Sequence, residues 1–274
     1  MKIPAIKKCE PLPVTAGVST LARVELERQP QPALLKMPAQ FWDVMFIANE
    51  AHVLGEISHP GVRRKLAYDA ANQRLFLEFI EGPTLDELVR ADFRVTEPQR
   101  LHQLLQSVAE TVADLHAGVF CSHPVVHNDL KSMNVLVPAA APATTRLIDF
   151  SHAYLEGNMP PFIGDKKQSP TGTAKYFAPE KWAGDFTKGF QSDVFAFGVL
   201  AYYASTGRHP FDGDVAQIEQ AIREATPPSP LKLGVTMLRN TAVIIMQCLE
   251  KNADRRPTME QVARVYADCA ALFK

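Results

Sequence analysis

His127-Asn128-Asp129-Leu130-Lys131-Ser132-Met133-Asn134, followed by the apolar Val135-Leu136-Val137, is the stretch on which the reading of this chain turns. It gathers a carboxylate, an ammonium and an amide into one short loop that runs into an apolar segment. Further on, Leu147-Ile148-Asp149-Phe150 sets a second carboxylate at the end of another apolar run. Phosphoryl transfer needs a carboxylate near the attacking hydroxyl, oxygen ligands for magnesium, and cations against the charge building on phosphate. Asp129, Asn134, Asp149 and Lys131 are the residue types that supply all three.

The segments on either side of this loop differ in character. Before it, short runs read as strands: Val18 to Leu26 alternates, Ala33 to Met37 carries Lys36 among apolar neighbours, and Leu75 to Ile80 closes at Glu81-Gly82-Pro83. Phe41 to Ile57 has apolar residues at helical spacing and ends at His59-Pro60-Gly61. From Gln99 onward helices dominate. Leu101, Leu104, Leu105, Val108, Val112 and Leu115 form one buried stripe, with Gly118 as its stop. Ser192 to Ser205 is apolar all round, as a central helix would be. Thr236 to Leu249 and Thr258 to Phe273 are amphipathic. Strands first and helices later imply an α+β pair of lobes joined near residues 81–85, and ligand sites favour such junctions.

Composition agrees with an ordinary globular chain of 274 residues, 46% of them hydrophobic. The balance of 29 basic against 30 acidic side chains gives no strong field, which argues against nucleic acid or an anionic membrane as the main partner. Cys9, Cys121, Cys248 and Cys269 form no CxxC pair and read as reduced thiols in a cytosol-like compartment. The start lacks the apolar core of a signal peptide, and the most apolar run, Val194 to Ala204, is too short to span about 30 Å of hydrocarbon.

The loop and the Ile148-Asp149-Phe150 turn resemble the catalytic core of eukaryotic-type protein kinases, whose HRDLKxxN loop and DFG turn they match by position. Gly172-Thr173-Ala174-Lys175-Tyr176-Phe177-Ala178-Pro179-Glu180 is similar to the family's GTxxYxAPE segment. Ser192-Asp193-Val194-Phe195-Ala196-Phe197-Gly198 resembles its SDVWSFG helix start, and Arg256-Pro257-Thr258 its terminal RPT pattern. The competing reading, a solvated loop with chance acidic residues, does not account for the fixed spacing.

The resemblance implies an α+β, bilobal protein-kinase-like fold, with a small, mainly antiparallel N-lobe holding one helix and a larger, mainly helical C-lobe. The expected layout is an N-terminal extension at 1–13 and a kinase domain at 14–274, with N-lobe about 14–80, hinge about 78–85 and C-lobe about 86–274. It implies ATP and Mg2+ as cofactors and Ser/Thr hydroxyls of protein substrates as acceptors, in a cytoplasmic setting or a host cytosol. A regulatory partner is compatible with it.

Carried over residue by residue, Asp129 orients and deprotonates the acceptor hydroxyl, and Lys131 sits against the γ-phosphate. Asn134 and Asp149 hold magnesium. Lys36 grips the α- and β-phosphates and pairs with Glu50. Backbone groups of Glu78 and Ile80 meet adenine, with Leu77 as gatekeeper. Gly17, Ser19, Ala22 and Val24 stand where the glycine-rich loop covers the nucleotide. Arg256 should pair with Glu180, and Asp193 should accept amides of the catalytic loop.

Three departures stand out. Ser19 and Ala22 replace two glycines of GxGxxGxV, which implies a stiffer phosphate lid. Asn128 replaces the arginine that in the family receives a phosphate on the activation segment, so Ser169, Thr171 and Thr173 need not be modified, and Thr173 is expected to brace Asp129. Ser151 replaces the glycine of DFG and should hinder flips of Phe150. A pseudokinase or a small-molecule phosphotransferase of the aminoglycoside or choline type are the alternatives; the latter lack the APE segment. Trp42 and Trp182 read as packing residues. Lys7-Lys8 and Arg63-Arg64-Lys65 read as solvated basic patches, and the histidines show no zinc spacing.

Overall fold

The computed structural model describes residues 3–13, 19–159 and 174–270. Five antiparallel strands, β1 (Ile6–Pro11), β2 (Ser19–Leu26), β3 (Ala33–Pro38), β4 (Lys65–Asp69) and β5 (Arg74–Glu78), form a sheet in the order β1-β2-β3-β5-β4. Directly opposed residues share a face. Leu21 lies opposite Lys36, Arg23 opposite Leu34, and Lys36 opposite Leu75, so these side chains look the same way. The other face carries Ala22, Val24, Ala33, Leu35, Ala67 and Phe76, which pack into a small core of their own.

Two strands were not expected. Ile6–Pro11, placed in the N-terminal extension, is the edge strand of the sheet, with Pro11 opposite Ala22. Most of its side chains are exposed, so it lacks the buried alternation that announces a strand, and proline at its end is tolerated at an edge. Lys65–Asp69 was hidden by the basic run before it. Within that run Arg63 is buried and Lys65 donates to the Ala51 carbonyl at 2.7 Å, so neither is the solvated charge expected of it.

Helix α1 (Val44–Val53) lies against the sheet and buries Phe46, Ile47, Asn49, Glu50, Ala51 and Val53. It is shorter than the expected Phe41 to Ile57, with a single 3-10 turn at Phe41–Asp43 preceding it. Trp42 on that turn is 62% exposed, so it is not the packing residue expected. Trp182 is half-buried against the main core.

Helix α2 (Leu85–Arg90) opens the lower lobe. Thr84 accepts from the Glu87 amide while Glu87 accepts from Thr84, a reciprocal cap legible in Thr-Leu-Asp-Glu. After α3 (Phe93–Thr96), α4 (Pro98–His116) buries the stripe read from sequence, and Gly118 takes φ +72° just past its end. Two short two-stranded sheets follow, with β6 (Val125–Val126) paired to β9 (Tyr154–Leu155) and β7 (Val135–Leu136) to β8 (Arg146–Leu147). The chain continues through α5 (Pro179–Trp182), α6 (Gly189–Thr206), α7 (Val215–Glu224), α8 (Arg239–Cys248) and α9 (Met259–Ala270). As its composition required, α6 is almost wholly buried, and α4 packs against α9.

One core joins Leu34, Leu75 and Leu77 of the sheet to Leu104, Val108, Phe150 and Phe197 below, so the lobes meet across a shared apolar floor. This is the two-lobed α+β architecture the resemblance implied. All four cysteines are free, and no helix among the described residues is long and apolar enough to cross a membrane.

Candidate active site

Lys36 sits mid-strand on the sheet face that looks toward α1, where an unpaired ammonium would be costly. Its Nζ meets Glu50 Oε2 at 2.6 Å and Asp149 Oδ1 at 2.9 Å. Burial alone would lower its pKa, but the charges of Asp149 and Glu50 outweigh this and raise it, so Lys36 is a fixed cation. Glu50 is 1% exposed, and its other oxygen accepts the Phe150 amide at 3.2 Å, tying α1 to the Asp149 turn. Burial would raise the Asp149 carboxyl. Lys36, with help from the Ser151 hydroxyl, overrides that and holds it well below the usual carboxylate range.

Asp149 itself takes the left-handed backbone, φ +63°, whereas Ser151 does not. The left-handed backbone on which the expectation for Ser151 rested is therefore not found at that residue. Its backbone needs no glycine, and its hydroxyl donates to Asp149 Oδ1 at 2.7 Å.

The catalytic loop is held from beneath. Asp193, at the start of α6 and fully buried, accepts the His127 and Asn128 amides at 2.8 Å each, as expected. The His127 ring packs on Phe150 with centroids 4.7 Å apart, and burial lowers its pKa, which suits a packing role. Above this floor Lys131 Nζ lies 2.7 Å from Asp129 Oδ2. Asn134 Nδ2 donates to the Asp129 carbonyl at 2.8 Å and to Oδ2 at 3.1 Å, which turns its amide oxygen the other way. Pairing of Val135 with Leu147 and the bond from Ile148 N–H to the Asn134 carbonyl at 3.0 Å draw Asn134 toward Asp149. The structure thus gathers Lys36, Glu50, Asp129, Lys131, Asn134 and Asp149 about the Asp149 turn.

A family model described as the protein kinase domain matches residues 36–266. The chain belongs to the protein kinase family. It is similar to the serine/threonine-protein kinase pkn2 of Myxococcus xanthus, 31% identical over 228 residues covering 81% of this chain and 26% of that protein. PkaA of Streptomyces coelicolor is 32% identical over 231 residues, 81% of this chain and 39% of that one. Against PknB of Mycobacterium tuberculosis the figures are 27% identity, 76% and 33%. The chain therefore spans between about a quarter and two fifths of the length of these relatives. A solved structure of the Rad53 kinase domain and SCD2 superposes with a TM-score of 0.70 at 19% identity, covering 89% of this chain and 84% of that one, a likeness of fold.

The roof of this kinase's cleft departs from what the sequence suggested. Gly17 lies outside the described residues, as do Ser169, Thr171, Gly172 and Thr173. Ala22 and Val24 belong to the sheet face opposite Lys36, buried against Leu35 and Phe76, so they do not line the cleft. Leu21 and Arg23 share the Lys36 face instead, and the Arg23 guanidinium stands 5.5 Å over the Phe79 ring. Ser19 is buried. A shift of one residue exchanges the faces of a strand, and without a full set of glycines no linear pattern sets that register. At the hinge Glu78 donates its amide to the Arg64 carbonyl, Leu77 is buried behind it, and among the described residues no backbone carbonyl accepts from Ile80 N–H.

Several supporting residues were missed. Asn49, beside Glu50 on α1, donates to the Ser151 and Ala153 carbonyls at 3.0 and 2.8 Å. The Ser132 hydroxyl joins Asp86 of α2 at 2.9 Å and the Tyr176 hydroxyl at 3.0 Å, linking three elements under the loop. Lys181 is buried, with its Nζ 3.1 Å from the Asn128 carbonyl. Only their neighbourhood, next to Glu50, Lys131 and Glu180, marks them in sequence. The Glu180–Arg256 pair was anticipated and is bidentate at 2.7 and 2.8 Å.

Proposed function

We propose that the chain is an ATP- and Mg2+-dependent protein kinase that transfers the γ-phosphate to Ser or Thr hydroxyls of protein substrates. The observation that carries this reading is the convergence of Lys36, paired with Glu50, and the Asp129–Lys131–Asn134 cluster on the Asp149 carboxylate. Mg2+ bound with nucleotide asks for one or two carboxylates and leaves other positions to phosphate and water. A carboxylate held ionised at Asp149 and an amide oxygen turned away from Asp129 at Asn134 fit that demand. Mg2+ would supply neutralisation of the phosphate charge.

The protein's own part is positioning and charge. Lys36 offers its ammonium to the nucleotide phosphates. Asp129 orients the acceptor hydroxyl and takes its proton as the oxygen–phosphorus bond forms and ADP departs. Lys131 faces the charge gathering on the transferred phosphoryl group. The carbonyl of Glu78 and the amide of Ile80 would receive adenine. Ser/Thr acceptance rests on Lys131 in the catalytic loop and on the relatives' names. A cytoplasmic setting is part of the proposal.

Asn128 carries no charge to receive a phosphate, so activity is proposed not to depend on phosphorylation between Asp149 and Glu180. The sparse glycines near Ser19 favour a second reading, a pseudokinase that binds nucleotide weakly or not at all. A radiolabelled-ATP assay on a protein panel, beside Asp129→Ala and Asp149→Ala, tests the proposal. Label on Ser or Thr that both variants abolish supports it, and no label from wild type together with no MgATP-induced thermal shift favours the second reading. Loss of most activity on phosphatase treatment would remove the independence from phosphorylation.

A further inference from the structure

Asn128 is the point where three separate elements meet the catalytic loop. Its backbone is left-handed at φ +64°, a region asparagine enters more readily than most residues with a side chain. Its amide is held by Asp193 of α6 at 2.8 Å, and its Nδ2 donates to the His152 carbonyl at 3.0 Å, just past the Asp149 turn. The third anchor is Lys181 on α5, whose Nζ donates to the Asn128 carbonyl at 3.1 Å. That carbonyl begins the peptide unit leading into Asp129.

Lys181 is 8% exposed, a costly site for an ammonium if packing were all that was required. Burial lowers its pKa, and the fields of Asp193, Asp129 and Glu180 offset that only in part; the face of Phe177 lies 5.6 Å from its Nζ. Glu180 itself is matched by Arg256, and Asp129 has Lys131 beside it. Lys181 therefore serves as the buried cation between α5 and the underside of the catalytic loop. Together with the Nδ2 bond to His152, it makes Asn128 a joint between both described ends of the segment from Asp149 to Glu180.

Resting on the kinase reading above, we infer that Lys181 is a positioning residue: its ammonium fixes the Asn128 carbonyl and so sets the Asp129 carboxylate for the acceptor hydroxyl. It does this without touching nucleotide, which Lys36, Asn134 and Asp149 engage from the other side. Lys181→Met keeps the stem and removes the charge; Lys181→Arg keeps a donor and the charge.

The experiment measures kcat, KM for ATP, the MgATP-induced thermal shift, and amide hydrogen exchange at residues 127–129. For Lys181→Met, kcat should fall about 10- to 100-fold, as a displacement of reacting groups by about 1 Å costs on the order of 10²-fold. KM for ATP should stay within about threefold, the MgATP shift should persist, and exchange at Asn128 and Asp129 should quicken at least about tenfold. Lys181→Arg should return kcat to within about fivefold of wild type. A kcat within about twofold in Lys181→Met, or a joint loss of kcat and nucleotide shift in a folded variant, overturns the inference. Should Lys181→Met fail to fold, a folded Lys181→Arg protein decides by the same fivefold limit. A wild type that transfers no phosphate sinks the kinase reading alone, and the exchange measurement still decides the role of Lys181.

Discussion

Arg256→Met removes the guanidinium that links α5 to the C-terminal part of the lower lobe. The side chain is 0% exposed, and it donates to both oxygens of Glu180 and to the carbonyls of Glu250, Gln191 and Lys251. Methionine fills much of the stem's volume, so the loss is chiefly electrostatic. It leaves the Glu180 carboxylate, 10% exposed, with the Ser192 hydroxyl as its remaining side-chain donor among the described residues. Breaking one side of a buried pair costs roughly 3–5 kcal/mol, a large part of the 5–15 kcal/mol that holds a typical domain. At about 2–4 °C per kcal/mol for a chain of this size, the melting temperature should fall by roughly 6–20 °C.

Urea unfolding followed by circular dichroism measures the free-energy change directly, with Glu180→Gln and the double variant completing a cycle. The double variant should lose less than the sum of the singles, because neither leaves the other's charge stranded. Burial would raise the Glu180 carboxyl, but the Arg256 hydrogen bonds and charge bring it below its ordinary 4.5. The unfolded chain then takes up this proton first as pH drops. The contribution of Glu180 is full above about 4.5 and fades as pH falls through the lower folded value, in wild type and not in Arg256→Met. A loss under about 1 kcal/mol, or singles that add without coupling, would refute the reasoning.

Asp129→Asn should lower kcat by about 10²- to 10⁴-fold while the MgATP-induced thermal shift survives, checked by phosphate transfer and melting curves. Lys36→Met should reduce kcat by about 10²- to 10³-fold and, by leaving Glu50 without its cation, destabilise by about 1–3 kcal/mol in urea. Asn49→Ala removes two buried hydrogen bonds to the chain after Asp149 and should cost about 1–3 kcal/mol, with faster proteolysis near His152 as a second readout. Thr84→Ala opens the reciprocal cap of α2 and should cost about 0.5–2 kcal/mol with little effect on KM for ATP.

What could be read from the chain and what could not divides along a physical line. Lys36, Asp129, Asn134 and Asp149 stand at spacings set by local turns and strands, so a linear motif is enough to place them. The stripe of α4 and the apolar surround of α6 were legible because burial leaves its period in the sequence. The faces of Ala22 and Val24 were not, since a strand's register depends on the partner strand rather than on its own alternation. Strand Ile6–Pro11 left no pattern because an exposed edge need not bury either side. Arg63 and Lys181 were misread or passed over for a common reason: whether a basic residue is solvated depends on what folds over it, and no local signal carries that.

The exposed indole of Trp42 and the half-buried one of Trp182 are the two tryptophans of the chain, one at the leading turn of α1 and one on α5 beside Lys181. The molecule thus carries a native fluorophore in each half. Replacing either with phenylalanine leaves a single indole, so with excitation selective for tryptophan, quenching and spectral position can follow the helix that bears Glu50 separately from the segment beneath the catalytic loop, with no dye attached.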